Sequence, residues 1–340
     1  MAATVIAFFN NKGGVGKTSL VYHLAWMYSE AGMRVVAADL DPQANLTAAF
    51  LDEEHLEQLW DDKKSPKTIY GGIQPLMKGL GDIVKPHIEK ITENLALVAG
   101  DLSLSGFEDE LSAQWPACLE GNERAFRVIS AFWRIIQSAA EKHKTDVVLM
   151  DLGPNLGAIN RSALIAADFV VVPLSPDLFS LQGLRNLGPT LERWREGWTE
   201  RLKKNPEAAL QLPGGGMKPI GYIVLQHSVR LDRPVKAFDR WIARIPDTYR
   251  TAVLSKPSRE NVTVANDKNC LALLKHYRSL MPLAQEARKP MFLLKPADGA
   301  IGSHAQAVQG AYEDFKKLAS RIAEPTGIFN AETSAKNPLG

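Results

Sequence analysis

Five short stretches of the chain centre on unbroken apolar runs: 4–9, 34–39, 146–151, 169–173 and 220–226. A strand with one wet face alternates apolar and polar positions, whereas a strand covered on both faces does not. These runs therefore predict strands of a buried, mainly parallel sheet. Between them, 17–31, 122–142, 178–203 and 304–322 carry helical patterns. Strands alternating with helices predict an α/β fold, doubly wound, with helices on both faces of the sheet.

Three segments break the rhythm. Residues 52–90 are charged and scattered with Pro66, Gly71, Gly72, Pro75, Gly79 and Gly81. They read as loops and short helices laid over the core, an accessory insertion. Residues 207–219 contain Pro213-Gly214-Gly215-Gly216 and predict a flexible surface loop. Residues 325–340 read as a disordered tail. The expected organisation is a single domain over 1–324, with no internal repeat.

The 340 residues, 45% of them hydrophobic, suffice for one large core. The formal charge of +2 is too even to mark a nucleic-acid binder by itself, so any such surface must come from local clustering. Cys118 and Cys270 stand far apart and form neither a metal motif nor a disulfide framework. They read as plain thiols of a reducing, cytoplasmic compartment. The start of the chain has no basic region before its short apolar run, which reads as a first core strand and not a signal peptide. No stretch approaches the roughly 20 apolar residues of a membrane span. The histidines show no metal spacing, and His23 reads as a packing residue. Trp194 and Trp198 lie one turn apart on a predicted helix. They fit core packing, with a docking face for a partner as the alternative.

The chemistry begins at Asn11-Lys12-Gly13-Gly14-Val15-Gly16-Lys17-Thr18-Ser19, between the first strand and the first helix. In that context the glycines let backbone N–H groups turn inward around phosphate oxygens, and the helix N-terminus adds positive field. Lys17 supplies a charge for β- and γ-phosphates, and Thr18 a hydroxyl for Mg²⁺. A phosphate loop also needs carboxylates at neighbouring strand ends. Asp39-Leu40-Asp41-Pro42-Gln43-Ala44-Asn45 follows the second strand, and Asp151 ends the run Val147-Val148-Leu149-Met150.

The strict phosphate-loop pattern has glycine where this chain has Asn11. Lys12-Gly-Gly-Val-Gly-Lys-Thr instead resembles the deviant Walker A motif of the ParA/MinD family of P-loop NTPases. Asp39-x-Asp-Pro-Gln-x-Asn is similar to that family's second acidic motif. Asp151-Leu-Gly-Pro154 resembles its D-x-P-P switch, with Gly153 in place of the first proline. Further likeness runs through Asn94–Leu104 and Ala167–Leu184, so the resemblance covers about residues 2–226 and is weaker beyond.

The resemblance implies ATP and Mg²⁺ as cofactors, held by Lys12, Gly13, Gly14, Val15, Gly16, Lys17, Thr18 and Ser19, with Thr18, Asp41 and Asp151 toward the metal. It gives Lys12 a role across a dimer on the partner's phosphates, makes Lys12, Lys17 and Asp41 catalytic, and links Asp41 to water positioning. Gln226 stands where the family reads the base and keeps an amide that suits adenine. The guanine-reading N-K-x-D pattern is not evident. Members of the partition branch form an ATP-state homodimer, bind non-specific double-stranded DNA and meet a stimulating ParB-like adaptor. The basic residues Arg230, Arg233, Lys236, Arg240, Arg244 and Arg250 are candidates for that DNA face, and Arg288, Lys289 and Lys295 form a second group. Asp232, Asp239 and Asp247 lie among the first group, so an ordinary mixed-charge face is the alternative. The polar tail lacks the amphipathic membrane helix of MinD-type relatives. The expected function is thus a slow ATPase that positions DNA or another cargo, cytoplasmic and associated with the nucleoid. One rival is an ATP-switched regulatory or scaffold subunit of a larger complex. Another is an ATP-coupled amide ligase, for which the sequence offers no second substrate site.

Overall fold

The computed structural model describes residues 2–61, 67–225, 240–277 and 279–328. The sequence-predicted strands form as β1 (Thr4–Phe8), β2 (Val35–Asp39), β5 (Val147–Asp151), β6 (Phe169–Leu174) and β7 (Lys218–Leu225). Three more join them: β3 (Glu89–Lys90), β4 (Leu95–Val98) and β8 (Cys270–Leu274). The sheet order is β3-β4-β2-β5-β1-β6-β7-β8. Only the β3–β4 pairing is antiparallel.

Unbroken apolar strands do bury both faces. In β1, Val5 and Ala7 enter one core, and Ile6 and Phe8 enter the other. One face is covered by α4 (Ile69–Met77), α5 (Phe107–Ala117), α6 (Glu123–Ile129), α7 (Ala131–His143), α8 (Ala158–Ile165) and α9 (Leu178–Leu202). The other carries α1 (Lys17–Glu30), α2 (Asn45–Phe50), α3 (Glu53–Asp61), α10 (Leu280–Ala287) and α11 (Ser303–Thr326). The doubly wound α/β architecture is as the sequence predicts.

Several local readings change. The helix predicted over 122–142 is two helices meeting at Ser130, whose hydroxyl donates to the Phe126 carbonyl at 2.6 Å. Back-bonding of this kind competes with the helix ladder and bends it. The last helix runs to Thr326, with Pro325 inside it. Segment 207–217 has no regular structure, but Trp198 donates to the Pro213 carbonyl at 2.8 Å and Arg195 to those of Gly216 and Met217 at 3.0 Å. Trp194 and Trp198 are buried in the core. Within 52–90, Ile69, Ile73 and Leu76 of α4 are buried, and Arg127 and Arg134 both hold Asp82. Both cysteines are buried free thiols, and burial pushes Cys118 up to about 12 and Cys270 to about 11. No helix among the described residues is long and apolar enough to cross a membrane.

Candidate nucleotide-binding site

In a parallel sheet, ligands gather at the carboxyl ends of the strands where the winding reverses. Here that place is β1, flanked by β5 and β6. The register sets Phe8 beside Asp151 and Asp151 beside Asp39, so the glycine-rich loop and both acidic strand ends meet by pairing alone.

The loop after β1 leads directly into α1. Gly14 and Gly16 take left-handed backbone, φ 70° and 72°, which side-chain-bearing residues avoid. A Cβ on Gly16 would also sit 2.7 Å from Leu225. The sequence reading thus places its glycines where the turn requires them. Residues 13–19 line a cavity of about 750 Å³ together with Asp41 and Pro154. Lys17 is buried, and its ammonium donates to the carbonyls of Asn10 and Lys12, each at 3.3 Å. Burial lowers its pKa, opposed by Asp151 and Asp41.

The three carboxylates differ in how they are satisfied. Asp39 is fully buried, and its Oδ2 accepts from the Thr47 amide at 2.8 Å and the Thr47 hydroxyl at 2.7 Å. The same hydroxyl accepts from the Gly100 amide, so Asp39 ties β2 to α2 and to the end of β4. Asp41 lines the cavity, and its Oδ1 accepts from the Gln43 amide at 3.0 Å. Asp151 is fully buried, yet neither oxygen has a hydrogen-bond partner among the described residues. Burial pushes it up to about 8 and Asp39 adds to the rise; the nearby Thr18 hydroxyl and Lys17 pull it down without closing a hydrogen bond. An unbonded buried carboxylate beside a hydroxyl and a second carboxylate is a hard-oxygen donor set short of a cation. Among the described residues no group of three or more His, Cys, Asp or Glu could hold a metal. Thr18, Asp41 and Asp151 therefore fit a Mg²⁺ ion only as one shared with phosphate oxygens and water.

Lys12 stands apart from residues 13–19. It does not line the cavity; its ammonium pairs with Asp177, the residue that caps α9 by accepting from the Ser180 amide. The switch segment after Asp151 is tied by Asn160, whose side-chain amide donates to the carbonyls of Gly153 at 2.9 Å and Asn155 at 2.7 Å. Sequence reasoning missed Asn160; the signal was a polar residue on the apolar face of α8. Gly153, the departure from the family's proline, leaves room beside Asp41: a Cβ there would lie 3.2 Å from Asp41 Oδ1.

The roof of the cavity was also missed. Met281, Ala284 and Gln285 of α10 line it, followed by Arg288 and Lys289. These two cations, grouped by sequence with Lys295 as a candidate DNA face, line the same cavity as the glycine-rich loop. Lys289 is held by Asp298 at 2.7 and 2.9 Å. Next to the cavity a smaller apolar slot of about 150 Å³ is lined by Leu225, Leu274, Tyr277, Met281 and Phe315. Of the other candidates, Gln226, Arg230, Arg233 and Lys236 lie outside the described residues. Arg240 and Arg244 are exposed and lie 5.2 and 5.4 Å from the Trp241 ring. Arg250 donates to the Pro257 carbonyl at 2.7 Å.

A parallel sheet with this loop at its switch point, and acidic strand ends beside it, defines a P-loop nucleotide-binding protein. Residues 3–204 match the family described as AAA domain. The chain is 26% identical over 270 residues to an uncharacterized protein of Methanocaldococcus jannaschii, covering 76% of this chain and 90% of that one. It is 30% identical over 199 residues to the chromosome partitioning protein ParA of Caulobacter vibrioides, covering 58% of this chain and 66% of ParA. The fold superposes on protein DIP2308 of Corynebacterium diphtheriae with TM-score 0.66 and 25% identity, covering 94% and 98% of the two chains. It superposes on the ATP complex of Cyanothece McdA with TM-score 0.61 and 14% identity, covering 95% and 97%. The chain belongs to the ParA/MinD family of P-loop ATPases, on its partition branch.

Proposed function

We propose that the protein is a nucleotide-switched ATPase that binds ATP with Mg²⁺, closes as a homodimer around two nucleotides, and holds non-specific double-stranded DNA in that state. Hydrolysis, slow until a ParB-like adaptor or another partner stimulates it, releases the pair and so positions DNA or another cargo. This is a cytoplasmic, nucleoid-associated cycle.

The observation that carries the reading is Lys12. Residues 13–19 all face their own cavity, whereas the Lys12 ammonium turns away to Asp177. The two side chains are 25% and 21% exposed, so the pair is partly open to the outside and not sealed in the core. A triphosphate carries several negative charges to the carboxylate's one, so it competes for the same ammonium. Lys12 is therefore held loosely enough in cis to be taken by a partner's nucleotide. In the site itself, Lys17 binds the β- and γ-phosphates, and Asp41 orients the attacking water. Thr18, Asp41 and Asp151 would hold Mg²⁺ together with phosphate oxygens and water. When bound, the ion supplies positive charge against the developing phosphate charge. The apolar slot at Leu225 and Tyr277 takes the adenine, with Gln226 following directly on Leu225. Arg240 and Arg244, with Arg230, Arg233, Lys236 and Arg250, meet DNA phosphates. The likeness to a chromosome partitioning protein ParA supports the partition reading, and the likeness to McdA supports the fold.

The test is retention of long non-specific duplex DNA by the purified protein at moderate salt, with ATP, with ADP, and for Lys12→Ala with ATP. DNA held only by the wild type with ATP is the expected result. ATP binding with no DNA retained under any condition overturns the partition reading. It would favour an ATP-switched subunit of a larger complex. One observation already points that way: in the charged region after α4, Leu80 is 80% exposed and Val84 47%.

A further inference from the structure

On the sheet face opposite α1, a second cavity of about 470 Å³ opens between α5, α8 and α9. Three arginines converge on it, Arg161, Arg193 and Arg201, and none has an ion pair among the described residues. Glu108 is the one carboxylate on its walls, and both its oxygens are engaged. Oε1 accepts from the Ala158 amide at 2.5 Å and Oε2 from the Ile159 amide at 2.9 Å, at the start of α8. Arg201 lies 3.7 Å from the centre of the Trp115 ring and Arg161 4.4 Å from it. Arg161 Nε is buried without an acceptor.

We propose that this cavity is a docking site for an acidic peptide segment of a partner protein, whose carboxylates pair with Arg161, Arg193 and Arg201.

Like charges crowd here with no ion pair among the described residues to offset them: Arg201 donates only to the carbonyls of Trp115 and Gly197, each at 2.8 Å, and Arg161 to that of Leu111 at 3.3 Å. Burial and then Arg201 pull the Arg161 pKa down to about 10, with Arg193 adding to the effect and Glu108 opposing it. Leaving a buried donor unpaired costs about 1–3 kcal/mol, and a carboxylate that accepts from it removes that cost. The stacked guanidiniums are already oriented by Trp115, so little side-chain freedom is lost on binding. Arginine and tryptophan are also the residue types that dominate protein interfaces. A peptide fits better than a lone inorganic anion, because the partly exposed Trp115 and Leu156 give the walls apolar surface for side chains between the acids.

The site touches the switch. Leu156 and Gly157 line it, and Pro154, just before them, lines the phosphate cavity from the other side. A bound segment would fix 154–158 relative to the phosphate loop. As the route of the stimulating partner, this site rests on the cycle proposed above; peptide binding by itself does not.

The experiment measures anisotropy of a fluorescein-labelled peptide of alternating glutamate and leucine, with protein saturated with ADP and Mg²⁺ so that the phosphate loop is filled. Saturable binding is expected, weakened about tenfold or more by Arg193→Glu and by Arg161→Gln. It should be unchanged by Lys203→Glu, an exposed charge at the end of α9 outside the cavity. Arg193 is exposed, so its variant stays informative even if the Arg161 variant does not fold. No binding, equal binding by Arg193→Glu, or full displacement by millimolar inorganic phosphate overturns the proposal, the last by reducing the site to a simple anion site. None of these readouts depends on ATP hydrolysis, dimerisation or DNA.

Discussion

The phosphate cavity has a floor and a roof that are built in different ways. The floor is one contiguous loop, 13–19, plus the ends of β2 and β5 that sheet pairing brings beside it. The roof is α10 with Arg288 and Lys289, brought over the loop by packing far along the chain. Floor residues are specified by backbone geometry: two glycines at positive φ, a lysine behind them, acids in register. Roof residues are specified by what they cover; Leu280 and Ala284 sink into the same core as Phe315 of α11. The floor is a pattern that many sequences would have to share, and the roof is one that each sequence can solve differently.

The sharpest way to break this contrast is Lys17→Ala. If the floor holds the phosphates, losing its buried ammonium should weaken ATP binding about a hundredfold, near 3 kcal/mol, by titration calorimetry. Binding within a factor of a few of wild type would mean that the roof carries the ligand.

A smaller effect is expected from the roof. Arg288 is 42% exposed in its side chain and lies 4.0 Å from Asp52. Arg288→Ala should weaken ATP binding by about three- to tenfold, in a manner that fades with added salt. Lys289→Ala should do less, because Asp298 already engages its ammonium. An Arg288 effect as large as that of Lys17 would erase the distinction.

That division also explains what the sequence made legible. The unbroken apolar runs gave the strands that matter for the site, since burial on both faces leaves a direct mark on composition. Lys17, Asp41 and Asp151 could be placed because a parallel register puts consecutive motifs at adjacent strand ends. β8 could not, because its Leu273 is 46% exposed at the sheet edge and its short run resembles a loop. Arg288 and Lys289 were read as a basic surface, since charge alone does not say which cavity it faces. Asn160 was passed over because a single polar residue on an apolar helix face has no spacing to give it away. The pairing of Lys12 with Asp177 lay equally out of reach: it joins two loops 165 positions apart through side chains alone.

One residue joins floor to roof, and its titration gives the finest test. His23 lies on α1, fully buried in the core and stacked on Phe315 with ring centres 4.9 Å apart. Its Nδ1 meets the Ser19 carbonyl at 2.7 Å on the floor, and its Nε2 accepts from the Met291 amide at 3.2 Å, in the segment that follows directly on the roof. Only the neutral ring, protonated at Nδ1, serves both bonds. Burial accordingly pushes its pKa down to about 4. Between about 4 and the unfolded value of 6.5 the unfolded chain binds the extra proton and the folded one does not. The His23 contribution to stability should therefore rise with pH across that window, by up to about 1.4 kcal/mol per pH unit, against the opposite contribution of Asp39 and Asp151, whose raised pKa values make the folded chain hold protons there. Urea unfolding of the nucleotide-free protein at intervals from pH 4.5 to 7 measures the slope. His23→Leu should flatten that part of it, whatever the variant does to stability at neutral pH. An unchanged slope would show that the ring is already free to take a proton in the folded chain, and that floor and roof are not joined through His23.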